Sequence, residues 1–326
     1  MNKNIGYAIA FALALAAPFY GYPVFLMKVL CFALFACAFN LLIGFTGLLS
    51  FGHAAFFGSA GYVAGYTLST LGWPVELGLL AAVVAGALIG LVMGALAIRR
   101  QGIYFTMITL ALAQMVYFLA LQAPFTGGED GLQGVPRGKL LGMLNLSNGF
   151  VLYYVVLAIV IGGFALIMRT VHSPFGQVLK AIKENEPRAV SLGYDVDKYK
   201  LMAFVLSASL AALAGATKTL VLGFATLTDV HWAMSGLVVL MTLVGGMGTL
   251  AGPIVGAIVI ISLETKLGDL GVMLANGTGI EWFRSLGQSV AMVSGVIFVA
   301  CVLLFRRGIV GEVMALLNRG GAKKSA

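Results

Sequence analysis

Few side chains in this 326-residue sequence could do chemistry, and their spacing excludes more than it offers. His53, His172 and His231 lie far apart and form no HExxH pattern. The sequence therefore offers no pair of zinc ligands one helical turn apart and no nucleophile beside a base. The nearest approach to a phosphate-binding loop is GATKT at 215–219. It lacks the glycine spacing of GxxxxGK[ST], whose backbone N–H groups cradle phosphate. The chain reads as a non-enzyme that binds no ATP by that device and holds no metal or cofactor of its own. The charges nearest the apolar runs are Lys28, Glu76, Lys218, Asp229, Glu264, Lys266 and Asp269. Most fall near run ends, where a long side chain can reach the interface. Only His53 sits in an apolar stretch away from other charges. An ion-coupled carrier needs relays inside its spans, so this pattern disfavours one and leaves it as the competing class.

A passive path needs modest polarity without fixed charge. GIYFTMITLALAQMVYF, 102–118, offers that. At 100° per residue Thr106, Thr109, Ala113 and Tyr117 fall within about 80° of one another, with Gln114 flanking. Together with His53 they are candidates to line a translocation path. The competing reading is that Thr and Tyr bond neighbouring helices, and for His53 simple packing is the preferred alternative.

The elements that must carry these residues are set by composition. The chain is 60% hydrophobic and 10% charged, with a mean hydropathy of +1.02. A soluble domain is about 25% charged. Lipid must be the main solvent, and the expected fold is all-α, a single polytopic integral membrane domain over 1–326. Glycine, at 43 residues, suits close helix approach in a membrane. The net charge of +8 reads as positive residues kept on cytoplasmic loops rather than as nucleic-acid binding. Cys31, Cys37 and Cys301 lie in apolar runs and read as small core residues.

About ten spans are expected (eight to ten), at 5–22, 24–43, 47–69, 75–98, 102–121, 150–169, 201–223, 231–247, 252–270 and 285–305. The first resembles a signal peptide but is read as a retained helix, because another apolar run follows at once. With the N-terminus in the cytoplasm, alternation puts 14 of the 20 Lys and Arg residues inside, as the positive-inside rule requires. Both termini are then cytoplasmic. Residues 122–149 form an external loop, which carries Arg137 and Lys139, with Arg284 external further on; ordinary exposed surface is one reading of all three. GFTGLLSFGHAAFFGSAGYVAG (44–65) and VGGMGTLAGPIVGA (244–257) are glycine-punctuated. Interrupted segments of this kind point to a substrate pathway.

Residues 170–200 form a cytoplasmic loop of unusual charge. GQVLKAIKENEPRAVSLGYDVDKYK, 176–200, holds nine of the chain's 32 charged residues, five positive and four negative. Ser173-Pro174 suits a helix start, and Val178, Leu179 and Ile182 give it an apolar edge. Pro187 can open a second helix capped by Asn185 or Glu186, with Ala189, Val190 and Leu192 as its edge. Gly193 suits a left-handed stop, and Asp195 can cap the next helix. A lipid-binding segment would be more one-sidedly basic. Balanced charge with an apolar edge suits a groove on another protein.

GQVLKAIKENEPRAVSLGYDVDKYKLMAF resembles the coupling loop of ABC-importer permeases of the branched-chain amino-acid type. GLLSFGHAAFFGSAGYVAG, RRQGIYFTMITLALAQ, FTGGEDGLQGVP and FRRGIVG are similar to the M-type (LivM-like) subunit of that family, in order from residue 47 to 311. The resemblance implies a homologous H-type permease, two cytoplasmic ATPases that use ATP and Mg, a periplasmic or extracellular binding protein for which Arg137, Lys139 and Arg284 are docking candidates, and a place in the bacterial inner membrane. It implies leucine, isoleucine and valine as cargo, with amides, urea or other amino acids as alternatives. It also implies that Glu184 through Gly193 seat in an ATPase groove, with Lys183, Glu184, Asn185, Glu186, Arg188 and Gly193 as the coupling residues. The Glu-Ala-Ala signature common in such loops is not literally present.

Overall fold

The computed structural model describes residues 3–278 and, beyond them, 293, 295, 296, 299 and 308–312. Among the described residues, helices occupy nine of the ten expected spans: α1 (Lys3–Tyr20), α2 (Pro23–Phe45), α3 (His53–Ser69), α4 (Val75–Ala97), α5 (Ile103–Gln122), α6 (Gly149–His172), α9 (Val196–Leu222), α10 (Trp232–Gly245) and α11 (Gly252–Thr278). Between α6 and α9 lie two short helices, α7 (Pro174–Glu184) and α8 (Glu186–Ser191). Most of the run expected at 285–305 lies outside the described residues. Five helices, α2, α4, α5, α6 and α9, are long and apolar enough to cross a membrane.

Several boundaries differ from expectation: α11 runs to Thr278, eight residues past 270, α9 begins at Val196, five before 201, and two other departures have a local cause. The span placed at 47–69 is helical only from His53, and residues 46–52 form an irregular link. The glycines and Thr46 in GFTGLLSFG explain this: Thr46 Oγ1 bonds back to the Leu42 carbonyl and its N–H ends α2. The second is α10, which has only 14 residues, about 21 Å, because Gly246 at φ +123° stops it. The all-α expectation also needs a small amendment. Two two-stranded ribbons occur, β1 (Leu132–Gln133) with β4 (Phe224–Ala225), and β2 (Lys139–Leu140) with β3 (Leu144–Asn145).

The core forms around α2 and α9. α2 is buried from Cys31 through Phe45. α9 is rich in Ala and Gly on the faces that meet α3 and α4. A Cβ on Gly86 would stand 2.2 Å from the Ala212 Cβ, and one on Gly90 2.5 Å from the Ala208 Cβ. So α4 and α9 touch backbone to backbone through small residues four apart, the packing that works where lipid and protein are equally apolar. On its opposite side α4 exposes Leu77, Leu80, Val84, Leu88 and Leu91.

The connecting segments sort onto two ends, as alternation requires. At one end Val135 N donates to the Gly223 carbonyl at 2.9 Å, and Arg137 Nη2 to the Val221 carbonyl at 2.8 Å. At the other, Lys183 Nζ donates to the Gly44 carbonyl at 2.7 Å, and Gln101 Nε2 to Glu186 Oε1 at 2.8 Å.

Candidate functional site

The α7–α8 pair is assembled by the local chemistry that the sequence announces. Ser173 Oγ accepts from Gly176 N at 3.3 Å and Pro174 opens α7. Asn185, not Glu186, caps α8, its Oδ1 accepting from Arg188 N at 3.1 Å. Gly193 follows at φ +88°, in the left-handed region where a Cβ is unfavourable. Asp195 Oδ1 then accepts from Lys198 N at 3.3 Å to start α9. The Lys198 ammonium, 2.7 Å from Asp195 Oδ2, bonds that carboxyl and holds it below the usual carboxylate range, while Asp195 raises Lys198.

One face of the pair is seated on the bundle. Leu179 and Ile182 are buried, and Ile182, Ala189 and Val196 form a small core with Val178 and Tyr199. Lys200 is 3% exposed and meets Glu186 Oε1 at 2.7 Å. Glu186 therefore faces inward, bonded to Lys200 and Gln101. The other face is open: Glu184, Asn185, Arg188 and Gly193 are exposed, and Lys183, also exposed, turns its ammonium toward the bundle. Here the expected second apolar edge is corrected. Ala189 turns inward, but Val190 and Leu192 are 56% and 68% exposed. α8 turns Glu186 and Ala189 toward the bundle, three residues apart on one face, and leaves Val190 and the C-cap Leu192 on the open side.

Lys183 links this face to the two glycine-punctuated segments. It bonds the last turn of α2 at Gly44. One turn earlier Asn40, 2% exposed, receives Gly248 N on Oδ1 and donates Nδ2 to the Thr249 carbonyl, both at 2.9 Å. The 246–251 link between α10 and α11 is thus clamped to α2 near the contact made by Lys183. Sequence reading missed Asn40, although a lone amide in a 23-residue apolar helix is a signal that could have marked it.

The path candidates do not converge. Thr106 Oγ1 donates to the Leu49 carbonyl at 2.9 Å, and Thr109 Oγ1 receives Phe51 N at 3.3 Å while donating to the Thr106 carbonyl at 2.9 Å. Both tie α5 to the 46–52 link, the alternative role weighed for them. Gln114 is half-buried, and Tyr117 stacks edge-on against His231 at 5.4 Å, near the opposite end. His53 is fully buried among Phe39, Phe56 and Phe204. Ser207 Oγ gives its proton to the Ala38 carbonyl at 2.5 Å, so His53 Nε2 is the donor to Ser207 at 2.9 Å, and Nδ1 has no partner.

At the end opposite α7–α8, Arg137 is drawn onto the α9 carbonyl of Val221 and Lys139 is exposed. Arg284 lies outside the described residues. Lys218 and Asp229, expected to reach the interface, instead bury together at 2.5 Å, 6% and 7% exposed. Lys28 pairs with Glu264 at 3.7 Å, both side chains part-exposed. Among the described residues no group of three or more His, Cys, Asp or Glu side chains could hold a metal.

Long apolar helices packed through small residues define a polytopic membrane protein. Its family is equally plain: residues 23–303 match the model described as branched-chain amino acid transport system / permease component, and the chain belongs to that family. It is 28% identical over 258 residues to the high-affinity branched-chain amino acid transport system permease protein LivM of Salmonella typhimurium, and equally to that of Escherichia coli. Those alignments cover 71% of this chain and 60% of each relative. The ribose import permease protein RbsC of Bacillus subtilis is 30% identical over 60% of this chain and 58% of its own. The LivM-like resemblance read from the motifs is therefore shown, while relatives of more than one cargo share the family.

Proposed function

We propose that this chain is the M-type permease subunit of an ATP-binding-cassette importer for branched-chain amino acids. It would form the path with a homologous H-type permease, take cargo from an external binding protein, and be driven by two cytoplasmic ATPases that bind the ATP and Mg. We read ten spans with both termini cytoplasmic in a bacterial inner membrane, and a second permease and lipid as its lateral neighbours.

The observation that carries this reading is the α7–α8 face. It is anchored on one side through Lys183, Lys200 and Glu186, and open on the other through Glu184, Arg188, Val190 and Leu192. Mixed charge around two exposed apolar side chains suits a groove on a partner protein. A push on that face would reach α2 directly through Lys183 and Gly44, beside the Asn40 clamp. Cargo is read from the LivM relatives, with amides, urea and other amino acids as alternatives. The buried Lys218–Asp229 pair favours a second reading, an ion-coupled carrier, because ionisable groups inside a membrane are functional by default.

The test is reconstitution of the chain with its second permease, ATPases and binding protein in vesicles. ATP-dependent uptake of leucine supports the proposal. Uptake that ignores ATP and follows an ion gradient supports the carrier.

A further inference from the structure

We propose that the β2–β3 hairpin is a lipid anchor. Its tip, Leu141-Gly142-Met143, enters the boundary between headgroups and acyl chains, Lys139 meets a lipid phosphate, and one acyl chain lies in the groove beneath. The inference does not depend on the transport reading.

The first observation is what the tip exposes. Leu141 is 74% exposed, Met143 87% and Leu144 45%. Apolar side chains rarely crowd a tight turn that faces only water. Leu141 also sits at φ +51°, the one non-glycine residue with positive φ among those described. Leucine is a poor choice there: glycine has no Cβ to crowd, and asparagine can hydrogen-bond locally, whereas leucine does neither. Its backbone N–H is fixed by the Glu76 carboxylate at the start of α4, so the turn is held in place with its side chain outward.

The second observation is continuity. Beneath the hairpin runs an open groove of about 780 Å³ between α4 and α6, lined by Leu79, Leu140, Leu144, Val151, Val155 and Ile159. Its α4 lining residue Leu79 is preceded and followed on the same helix by the exposed Leu77, Leu80 and Val84, on a helix long and apolar enough to span a membrane. Fluid chains fill such a slot without the shape match that a protein partner would need. Trp73 and Tyr154, both part-exposed near the same end, are the residue types that mark a headgroup layer. The charge also fits: Glu76 is satisfied by Leu141 N, whereas Lys139 is exposed at the base of the hairpin and suits an anionic phosphate.

The experiment places photoreactive benzoylphenylalanine at Met143, at Leu141, or at Gln133, an exposed position on the other ribbon of the same segment. The full chain is irradiated in native membranes and its adducts are weighed. The expected result is a phospholipid as the major adduct at 143 and 141 and none at 133. Met143 is nearly free of packing, so its variant should insert as wild type. A protein adduct at 143, no adduct there, or equal lipid labelling at 133 would each overturn the proposal.

Discussion

Lys218→Met and Asp229→Ala should destabilise this protein unequally, and the size of each follows from what is left behind. Asp229 Oδ2 receives Lys218 Nζ at 2.5 Å, Thr226 N at 3.2 Å and Thr226 Oγ1 at 3.1 Å. Breaking a buried pair on one side costs about 3–5 kcal/mol, because a desolvated charge loses its partner. In Lys218→Met the carboxylate keeps its two Thr226 donors, and methionine keeps most of the lysine stem's packing. That variant belongs at the low end, about 3 kcal/mol. In Asp229→Ala the ammonium keeps only the Phe224 ring, 5.4 Å from Nζ, a contact of about 0.5–2 kcal/mol. It also loses the capping box of the turn Leu227–Asp229, about 1 kcal/mol, and so belongs at about 4–5 kcal/mol. The double variant buries no charge and should cost less than the sum by about 1–3 kcal/mol. Denaturant titration of the purified chain in detergent gives all three values from midpoint and slope. Lys218→Met as stable as wild type, or a double variant that is simply additive, would refute the buried, coupled pair.

Other outcomes follow from the same contacts. Gly215→Ala places a Cβ 1.9 Å from the Phe57 carbonyl oxygen, so α3 and α9 must part, at about 1–3 kcal/mol by the same titration. Leu192→Glu changes an open side chain and should move stability by less than about 0.5 kcal/mol, yet lower ATP-driven uptake in reconstituted vesicles. Gly193→Pro, which cannot adopt φ +88°, and Glu184→Arg should separate ATP hydrolysis from uptake while insertion stays intact; full transport in both would sink the docking role. Asp195 has its folded pKa lowered by Lys198, so its contribution is present above the usual carboxylate range and is lost as pH falls through the lowered value. Protection factors at the start of α9, which divide out the base-catalysed intrinsic exchange rate, should therefore be flat through neutral pH and fall only in acid. A fall near neutral pH would contradict that assignment.

Local signals were the legible ones. Twenty-residue apolar runs marked the long helices, and Ser173-Pro174, Asn185-Glu186-Pro187, Gly193 and Asp195 marked α7, α8 and the start of α9 almost residue by residue. Each is a contact between neighbours in sequence. What escaped were contacts between distant residues, or departures from periodicity. The 46–52 link reads as apolar span; Thr46 and Gly47 end α2 there, and the bonds to Thr106 and Thr109 on α5 then give its backbone groups partners outside a helix. Lys218 and Asp229 sit near span ends, and nothing local tells whether such charges reach water or one another. Asn40 binds residues more than 200 positions away. Val190 and Leu192 continue an apolar pattern, but a six-residue helix after a sharp bend is too short for periodicity to set its inward face. The path candidates suffered most, because a helix face shared by Thr and Tyr looks the same whether it meets cargo or a neighbouring loop.

On the proposed function, energy enters this permease from partner ATPases rather than from an ion gradient. Uptake of labelled leucine by cells with and without this chain, in a protonophore with ATP maintained and then in ATP-depleted cells, tests it most directly. Leucine uptake should require the chain, persist with the protonophore and vanish on ATP depletion. Uptake abolished by the protonophore while ATP is intact would contradict it.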